Sequence, residues 1–176
     1  YTNYPTAELF INGKSYGKQS KNNSSLKSRY RLMWMDAVYE PGEVKVVAYN
    51  KDGKAVAEKT VRTAGKPHHI ELVSNRNELT ADGKDLAYVT VKVVDKDGNL
   101  CPTDSRLIHF SVKGAGKFRA VANGDPTNLE QFHLPKMHAF HGMLTAIVQA
   151  GEIAGDLVLT AKASGVKTGT VHLQAK

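Results

Sequence analysis

Apolar and polar residues alternate along much of the chain. In the segment Leu86–Val94, apolar residues occupy every second position from Ala87 to Val93, and polar residues lie between most of them. Successive side chains of a β-strand point to opposite faces, so a period of two predicts strands with one dry and one wet face. The same period appears in four other segments of the second half: His69–Val73, Ile108–Val112, Leu157–Ala163 and Val171–Leu173.

The first half of the chain shows the same alternation of apolar and polar residues. We predict strands at Glu8–Asn12, Ser28–Met35, Glu43–Asn50 and Ala55–Thr63. Between the predicted strands of the whole chain lie residue pairs that tolerate positive φ, as tight hairpin turns require. They are Asn12-Gly13, Pro41-Gly42, Asp52-Gly53, Asp82-Gly83 and Asp97-Gly98. No segment keeps a helical period over a dozen residues, so the sequence predicts an all-β fold.

The segment Thr63–Pro67 is the predicted domain boundary, because a strand ends there and Gly65 and Pro67 interrupt regular pairing. Strands spaced by about 8–12 residues on both sides are typical of β-sandwiches. We therefore expect two tandem immunoglobulin-like β-sandwich domains, at residues 1–65 and 66–176. The first is small and is expected to lack its opening strand.

The net charge of +7 is concentrated in the first half: residues 1–66 carry 12 Lys and Arg against 6 Asp and Glu, and residues 67–176 carry 12 against 11. A basic half suits an acidic polymer, but lysines that keep strand edges apart are the favoured interpretation. Few aromatic residues interleave with the basic ones, so we expect no nucleic-acid partner. No apolar run is long enough to span a membrane. The single cysteine, Cys101, excludes an internal disulfide and any multi-cysteine metal site.

Two short motifs resemble catalytic or cofactor-binding signatures, but their context is wrong. Gly13–Gly17 fits the G-x-S-x-G pattern of a hydrolase, which needs a sharp turn into a helix. No helix is predicted there, and a hairpin turn is favoured. Gly114-Ala115-Gly116 lacks the third glycine of a dinucleotide-binding loop. We expect no catalytic residues and no cofactor.

Three histidines, His133, His138 and His141, follow Asp125 and Glu130 and could together hold zinc. Their spacing matches no established ligand pattern, so a structural or exposed role is favoured and no metal site is expected. The paired carboxylates Asp82 with Asp85 and Asp95 with Asp97 are expected to bond to turns.

The aromatic candidates for stacking on a sugar are Trp34, Tyr4, Tyr16, Tyr30, Tyr39, Tyr49 and Tyr88. Trp34 shares its parity with Leu32, and we expect it in a core, as in many immunoglobulin-like domains. Tyr88 lies on the polar side of its predicted strand and is the better exposed candidate.

Several strings resemble one enzyme family over almost the whole chain. Tyr1-Thr2-Asn3 followed by Ala7–Ser15 is similar to the start of an immunoglobulin-like module of bacterial glycoside hydrolase family 2, the β-galactosidase-like enzymes. Further strings resemble later parts of that module and the domain that follows it. They are Tyr39–Glu43, Val61–Pro67, Ala81–Ala87, Val94–Asn99, Gly114–Gly116 and Asn123–Thr127.

The resemblance implies an accessory role. In that family the two catalytic glutamates lie on a barrel N-terminal to these modules, and such a barrel needs about 250 residues. We therefore expect a non-catalytic C-terminal portion of a β-galactosidase-like enzyme, with the barrel of the parent enzyme as its partner. The opening Tyr1-Thr2-Asn3 predicts a piece of a longer polypeptide. The family suggests export to the periplasm or cell surface, with the signal upstream.

Two other functions stay open at this point: a stand-alone carbohydrate-binding module, and an adhesin-like tandem that binds a protein. The segment Asn123–His141 is the longest without clear alternation, and long loops in compact domains are often functional. We select Asn123, Asp125 and His138 from it, together with Tyr88, as candidate residues for contacting a glycan or the barrel. A structural connection between sheets is the alternative for this segment.

Overall fold

A computed structural model describes all 176 residues and contains strands, turns and irregular segments but no helix. The predicted all-β fold is confirmed. The chain forms two compact units, Tyr1–Thr63 (unit 1) and Ala64–Lys176 (unit 2). It contains no helix that is long and apolar enough to cross a membrane.

Unit 1 contains one antiparallel sheet in the order β2-β1-β3-β4. The strands are β1 (Thr6–Ile11), β2 (Lys14–Ser20), β3 (Glu43–Tyr49) and β4 (Ala55–Arg62). The predicted turn at Asn12-Gly13 joins β1 to β2, with φ of 49° and 80° at the two residues. Both values lie in the left-handed region that two-residue hairpins use. Alternate residues Ala7, Leu9 and Ile11 of β1 are buried, which confirms the period of two in this strand.

The predicted strand Ser28–Met35 is wrong, because this segment is irregular. Its alternation comes from a few apolar residues among arginines and serines, and they do not face a common core. The expectation that Trp34 lies in a core is also wrong. Trp34 is half-buried, and its Nε1–H donates to the carbonyl of Gly17 at 2.9 Å. The sequence did not predict β2, because the side chains on both of its faces are largely exposed to solvent.

Unit 2 contains two sheets. The strands are β5 (His69–Ser74), β6 (Glu78–Leu79), β7 (Leu86–Val94), β8 (Leu107–Gly114), β9 (Gly116–Ala122), β10 (Lys136–His138), β11 (Met143–Ala150), β12 (Gly155–Lys162) and β13 (Gly169–Ala175). One sheet has the order β5-β7-β11-β9 and the other β10-β8-β12-β13-β6. All neighbours are antiparallel except β13 and β6.

The core of unit 2 lies between these sheets. Val89 and Val91 of β7 and Leu157 and Leu159 of β12 have no exposed surface, as the period of two predicted. The rings of Phe110 and Phe118 stack with their centroids 5.9 Å apart. Each Leu or Val buried in this way contributes about 1.5–3 kcal/mol of transfer free energy, so this core is the main source of the unit's stability.

Asp95 fixes the start of unit 2. Its side chain is 2% exposed, although it is charged. Oδ2 accepts the backbone N–H of Gly65 at 2.8 Å and the side-chain amide of Asn99 at 3.0 Å. Oδ1 accepts the backbone N–H groups of Asp97 and Asn99, both at 2.9 Å. The predicted turn role of Asp95 is confirmed, and the bond to Gly65, 30 residues earlier, comes in addition. These donors, with Gly65 first, hold the pKa of Asp95 far below its usual range.

We expect the substitution Asp95→Asn to lower the free energy of unfolding of unit 2 at pH 7, because the new amide group turns one acceptor into a donor that faces other donors. Folding lowers the pKa of Asp95, so the stabilisation by the carboxylate is complete above the unfolded pKa of about 3.9. It is lost as the pH falls below that value toward the folded pKa.

Urea unfolding between pH 7 and pH 2.5, followed by the NMR signals of the core methyl groups of unit 2, measures this difference. The gap between wild type and variant should shrink below about pH 4. Asp97→Asn is the control, since the side chain of Asp97 is 61% exposed and should give a small difference at every pH. A gap that stays constant or widens on acidification contradicts the assigned role of Asp95.

Candidate functional site

Three of the four candidate residues meet at one edge of unit 2. The irregular segment 123–135 leaves β9 and returns to form β10. The side-chain amide of Asn123 donates to the carbonyl of His138 at 3.0 Å. The side-chain oxygen of Asn123 accepts the backbone N–H of Asp125 at 3.0 Å. Asn123 therefore joins the two ends of the segment and places Asp125 and His138 near each other.

Asp125 holds the first turn of this segment. Its Oδ1 accepts the backbone N–H of Thr127 at 2.8 Å and the hydroxyl of the same residue at 2.7 Å. These two bonds, with a smaller contribution from nearby His141, keep the pKa of Asp125 below its ordinary value. The carboxylate is therefore ionised and oriented at neutral pH.

Glu130 orients His138 and was not among the candidate site residues. Its carboxylate accepts the backbone N–H of His138 at 3.1 Å and lies 3.1 Å from Nδ1 of the same ring. Partial burial acts to raise the pKa of Glu130, but the bonds from His138 outweigh it and the pKa is lowered. The pairing favours the ring tautomer with a proton on Nδ1. Glu130 was visible in the sequence as a neighbour of the histidines, but only in connection with a metal site.

The segment encloses an open depression with a cavity volume of about 510 Å³. Its walls carry planar polar groups, together with the ring of Phe140. The lining residues are Ser105, Asn123, Asp125, Thr127, Asn128, Leu129, Glu130, His138, Ala139 and Phe140. The side-chain nitrogen of Asn128 is buried and has no hydrogen-bond partner. Carboxylate, amide and imidazole groups beside an aromatic ring can bind hydroxyl groups and pack on an apolar ring face.

Tyr88 does not belong to this depression. It lies on β7, opposite Ile147 of β11, and its backbone N–H donates to the side chain of Asn75 at 2.8 Å. Its side chain is 45% exposed, as its parity predicted. Parity indicates the face of a sheet on which a residue lies but not its position along the sheet, so the sequence could not separate Tyr88 from the other candidates.

The motifs rejected at the sequence level show no catalytic geometry. Ser15 of the G-x-S-x-G pattern lies within β2, and its hydroxyl donates to Oε1 of Glu8 at 2.6 Å. No group of three His, Cys, Asp or Glu side chains lies close enough together to hold a metal ion.

Unit 1 has a larger open cavity of about 960 Å³, in which the basic side chains of Lys21, Arg29 and Lys51 lie near Tyr1 and Tyr30. Arg29 is occupied in part, since Nε and Nη2 both donate to the carbonyl of Asn23 at 3.1 Å.

Comparison with known proteins identifies the family. The model for the glycoside hydrolase family 2 C-terminal domain 5 matches residues 70–172, more than half of the chain. The chain belongs to glycoside hydrolase family 2. A second family model, the domain of unknown function DUF4982, matches residues 1–57. The matched part of the family is its C-terminal domain and not the catalytic region.

The relatives are much longer than this chain. A β-galactosidase of Bacteroides ovatus is 42% identical over 176 residues, which are 100% of this chain and 20% of that protein. A β-glucuronidase of Formosa agariphila is 27% identical over 99% of this chain and 17% of its own length. Among solved structures, a β-glycosidase from Bacteroides vulgatus matches with a TM-score of 0.89 and 28% identity, over 99% of this chain and 22% of that one. The chain thus spans about a fifth of the length of its curated relatives.

We expect Asp125→Ala to loosen the first turn of the segment 123–135 without affecting the core, because Thr127 loses its acceptor. Amide hydrogen exchange should become about fivefold faster at Thr127, the equivalent of a hydrogen bond worth about 1 kcal/mol. Asp125→Asn keeps an oxygen at this position and should exchange almost as wild type. Equal exchange rates at Thr127 in wild type and in Asp125→Ala would mean that this bond does not hold the turn. Unchanged exchange at Val91 shows that the core is intact.

Proposed function

We propose that this chain is the non-catalytic C-terminal accessory portion of a β-galactosidase-like enzyme and that it packs against the catalytic barrel of that enzyme. The observation that carries the proposal is the match to the family 2 C-terminal domain within relatives about five times as long. Export to the periplasm or cell surface and the absence of a nucleic-acid partner stay predictions.

The site geometry supports a scaffold rather than a hydrolase. Glycoside hydrolysis by the usual route needs two carboxyl groups that flank the scissile bond, one of them able to act as an acid. Asp125 and Glu130 are the carboxylates of the depression, and both have a lowered pKa. Both are occupied in hydrogen bonds, Asp125 with Thr127 and Glu130 with His138 of β10. Such groups hold a loop in shape, and neither is suited to donate a proton at neutral pH.

A second candidate function is glycan binding by unit 2. The depression at Asn123, Asp125 and His138 supports it, because planar polar groups and the Phe140 ring line one concave surface. This arrangement is compatible with the scaffold function, since the same loop would extend the substrate-binding surface of the parent enzyme.

If the chain is a scaffold, hydrolysis is carried out by the rest of the enzyme and not by this chain. The isolated 176-residue chain should hydrolyse neither aryl galactosides nor aryl glucuronides. Removing it from the full-length enzyme should lower the thermal midpoint of the catalytic part, because the surface it covered becomes exposed to water. A second truncation that keeps residues 1–63 separates the contributions of the two units. Hydrolysis by the isolated chain, or an unchanged midpoint after its removal, would contradict the proposal.

The glycan proposal is tested by NMR titration of the ¹⁵N-labelled chain with galactosides and with plant and host polysaccharides. Binding in the depression should give saturable shifts within Asn123–His141, and Phe140→Ala should abolish them. Tyr88→Ala is the matched control and should leave them unchanged. Flat spectra at millimolar sugar would eliminate this function, and shifts around Tyr88 alone would place the site elsewhere.

A further inference from the structure

Exposed apolar side chains are concentrated in one short segment of unit 1. Six large ones lie within residues 26–39, which we name the apolar segment: Leu26, Tyr30, Met33, Met35, Val38 and Tyr39. Leu26 and Met35 are both 84% exposed. Unit 2 is nearly twice as long and also has six, of which Leu129, Phe132 and Leu134 lie in one loop and the other three lie apart. Single exposed apolar residues are normal on a protein surface, but a dense group of them marks an interaction site.

Side-chain hydrogen bonds from Trp34 and Tyr39 fix the apolar segment to the rest of unit 1 at two points. The indole of Trp34 donates to the carbonyl of Gly17 at 2.9 Å. The hydroxyl of Tyr39 lies 3.1 Å from that of Thr63. Within the segment, Nε of Arg31 donates to the carbonyl of Lys27 at 3.1 Å. These bonds hold the segment in place while its apolar side chains remain exposed, so it is a preformed surface.

The composition of the segment is that of a protein–protein interface. The residues enriched in the cores of such interfaces are aromatic residues, Met and Arg, while Lys, Glu and Asp are depleted. Between residues 26 and 39 there are two tyrosines, one tryptophan, two methionines and two arginines, against one lysine and one aspartate. Polar groups lie beside a ring only at the start of the segment, where Arg29 and Tyr30 line the open cavity of unit 1. The exposed residues Met33, Met35 and Val38 are apolar.

We propose that the apolar segment is the docking surface for the part of the parent enzyme that precedes this chain. The inference rests on the proposed function and adds the residues that make the contact. One observation identifies the occupant. The matched family model is a C-terminal domain, and the relatives are about five times as long as this chain, so most of such an enzyme lies before it.

The covalent connection favours this occupant over a second copy of the protein. Two parts of one polypeptide meet at an effective concentration in the millimolar range when the link between them is short. A second copy would have to bind the same surface at the much lower concentration of the free protein. A contact made by these exposed side chains is therefore sufficient for the tethered partner.

The test measures amide hydrogen exchange in the full-length enzyme. Amides of residues 26–39 should exchange at least tenfold more slowly there than in the isolated chain. The triple variant Leu26→Ser, Met35→Ser, Val38→Ser, made in the full-length enzyme, should return the exchange to the fast rate. The matched control replaces three exposed apolar residues of unit 2, Val73, Leu129 and Ile153, by serine and should leave residues 26–39 protected.

Each other outcome overturns the inference. Equal exchange in the full-length enzyme and in the isolated chain means that the segment is uncovered. Protection that disappears on dilution together with a dimer means that a second copy covers it. The proposed function fails separately, if removal of the whole chain leaves the thermal midpoint unchanged. If removal lowers the midpoint but the triple variant stays protected, the accessory function stands and its docking surface lies elsewhere.

Discussion

The dry seam between the two sheets of unit 2 is the constraint on which the rest of that unit depends. Every strand beside it must place apolar side chains at alternate positions, because a slip by one residue would turn that set toward water. Val89, Val91 and Leu159 have no exposed surface for this reason. The seam leaves no place for a catalytic group inside the unit. Chemistry can occur only on outer faces and in connecting loops.

The segment 123–135 shows how the sandwich supports such a loop. The strands β9 and β10 fix its ends, and Asn123 bonds one end to the other through the carbonyl of His138. Asp125 holds the first turn, and Glu130 bonds the segment to the backbone N–H of His138 in β10. A loop of this length would otherwise lose much conformational entropy on binding a partner. Because its own side chains have already ordered it, the depression is available as a preformed surface.

The sequence predicted several strands that have one buried and one exposed face, but it missed β11, which also has this pattern. It did predict β4, which is exposed along almost its whole length. The bounds of β7 agree with the expected Leu86–Val94 because its inner face is apolar throughout. The strand β2 gave no signal because it is wet on both faces, and Ser28–Met35 gave a false one.

The candidate site was predictable in part, because some of its residues lie close together in the sequence. Asn123, Asp125 and His138 lie within 16 residues of one another, so their short separation along the chain was enough to group them. The position of Tyr88 depends on strand order, which parity does not contain. The hydrogen bond between Asp95 and Gly65 joins residues 30 positions apart. The residues around Asp95 indicate a turn, but they do not indicate this distant partner.

The parallel pairing of β13 with β6 has a consequence for synthesis on the ribosome. β6 comes early in unit 2, and its only sheet neighbour is the last strand of the unit, β13. At about 5–20 residues per second, several seconds separate the two strands as they leave the ribosome. During that time β6 lacks its only sheet neighbour, so its backbone groups form an unpaired edge. The strands of unit 1 have no such wait, so unit 1 completes its sheet before unit 2 does.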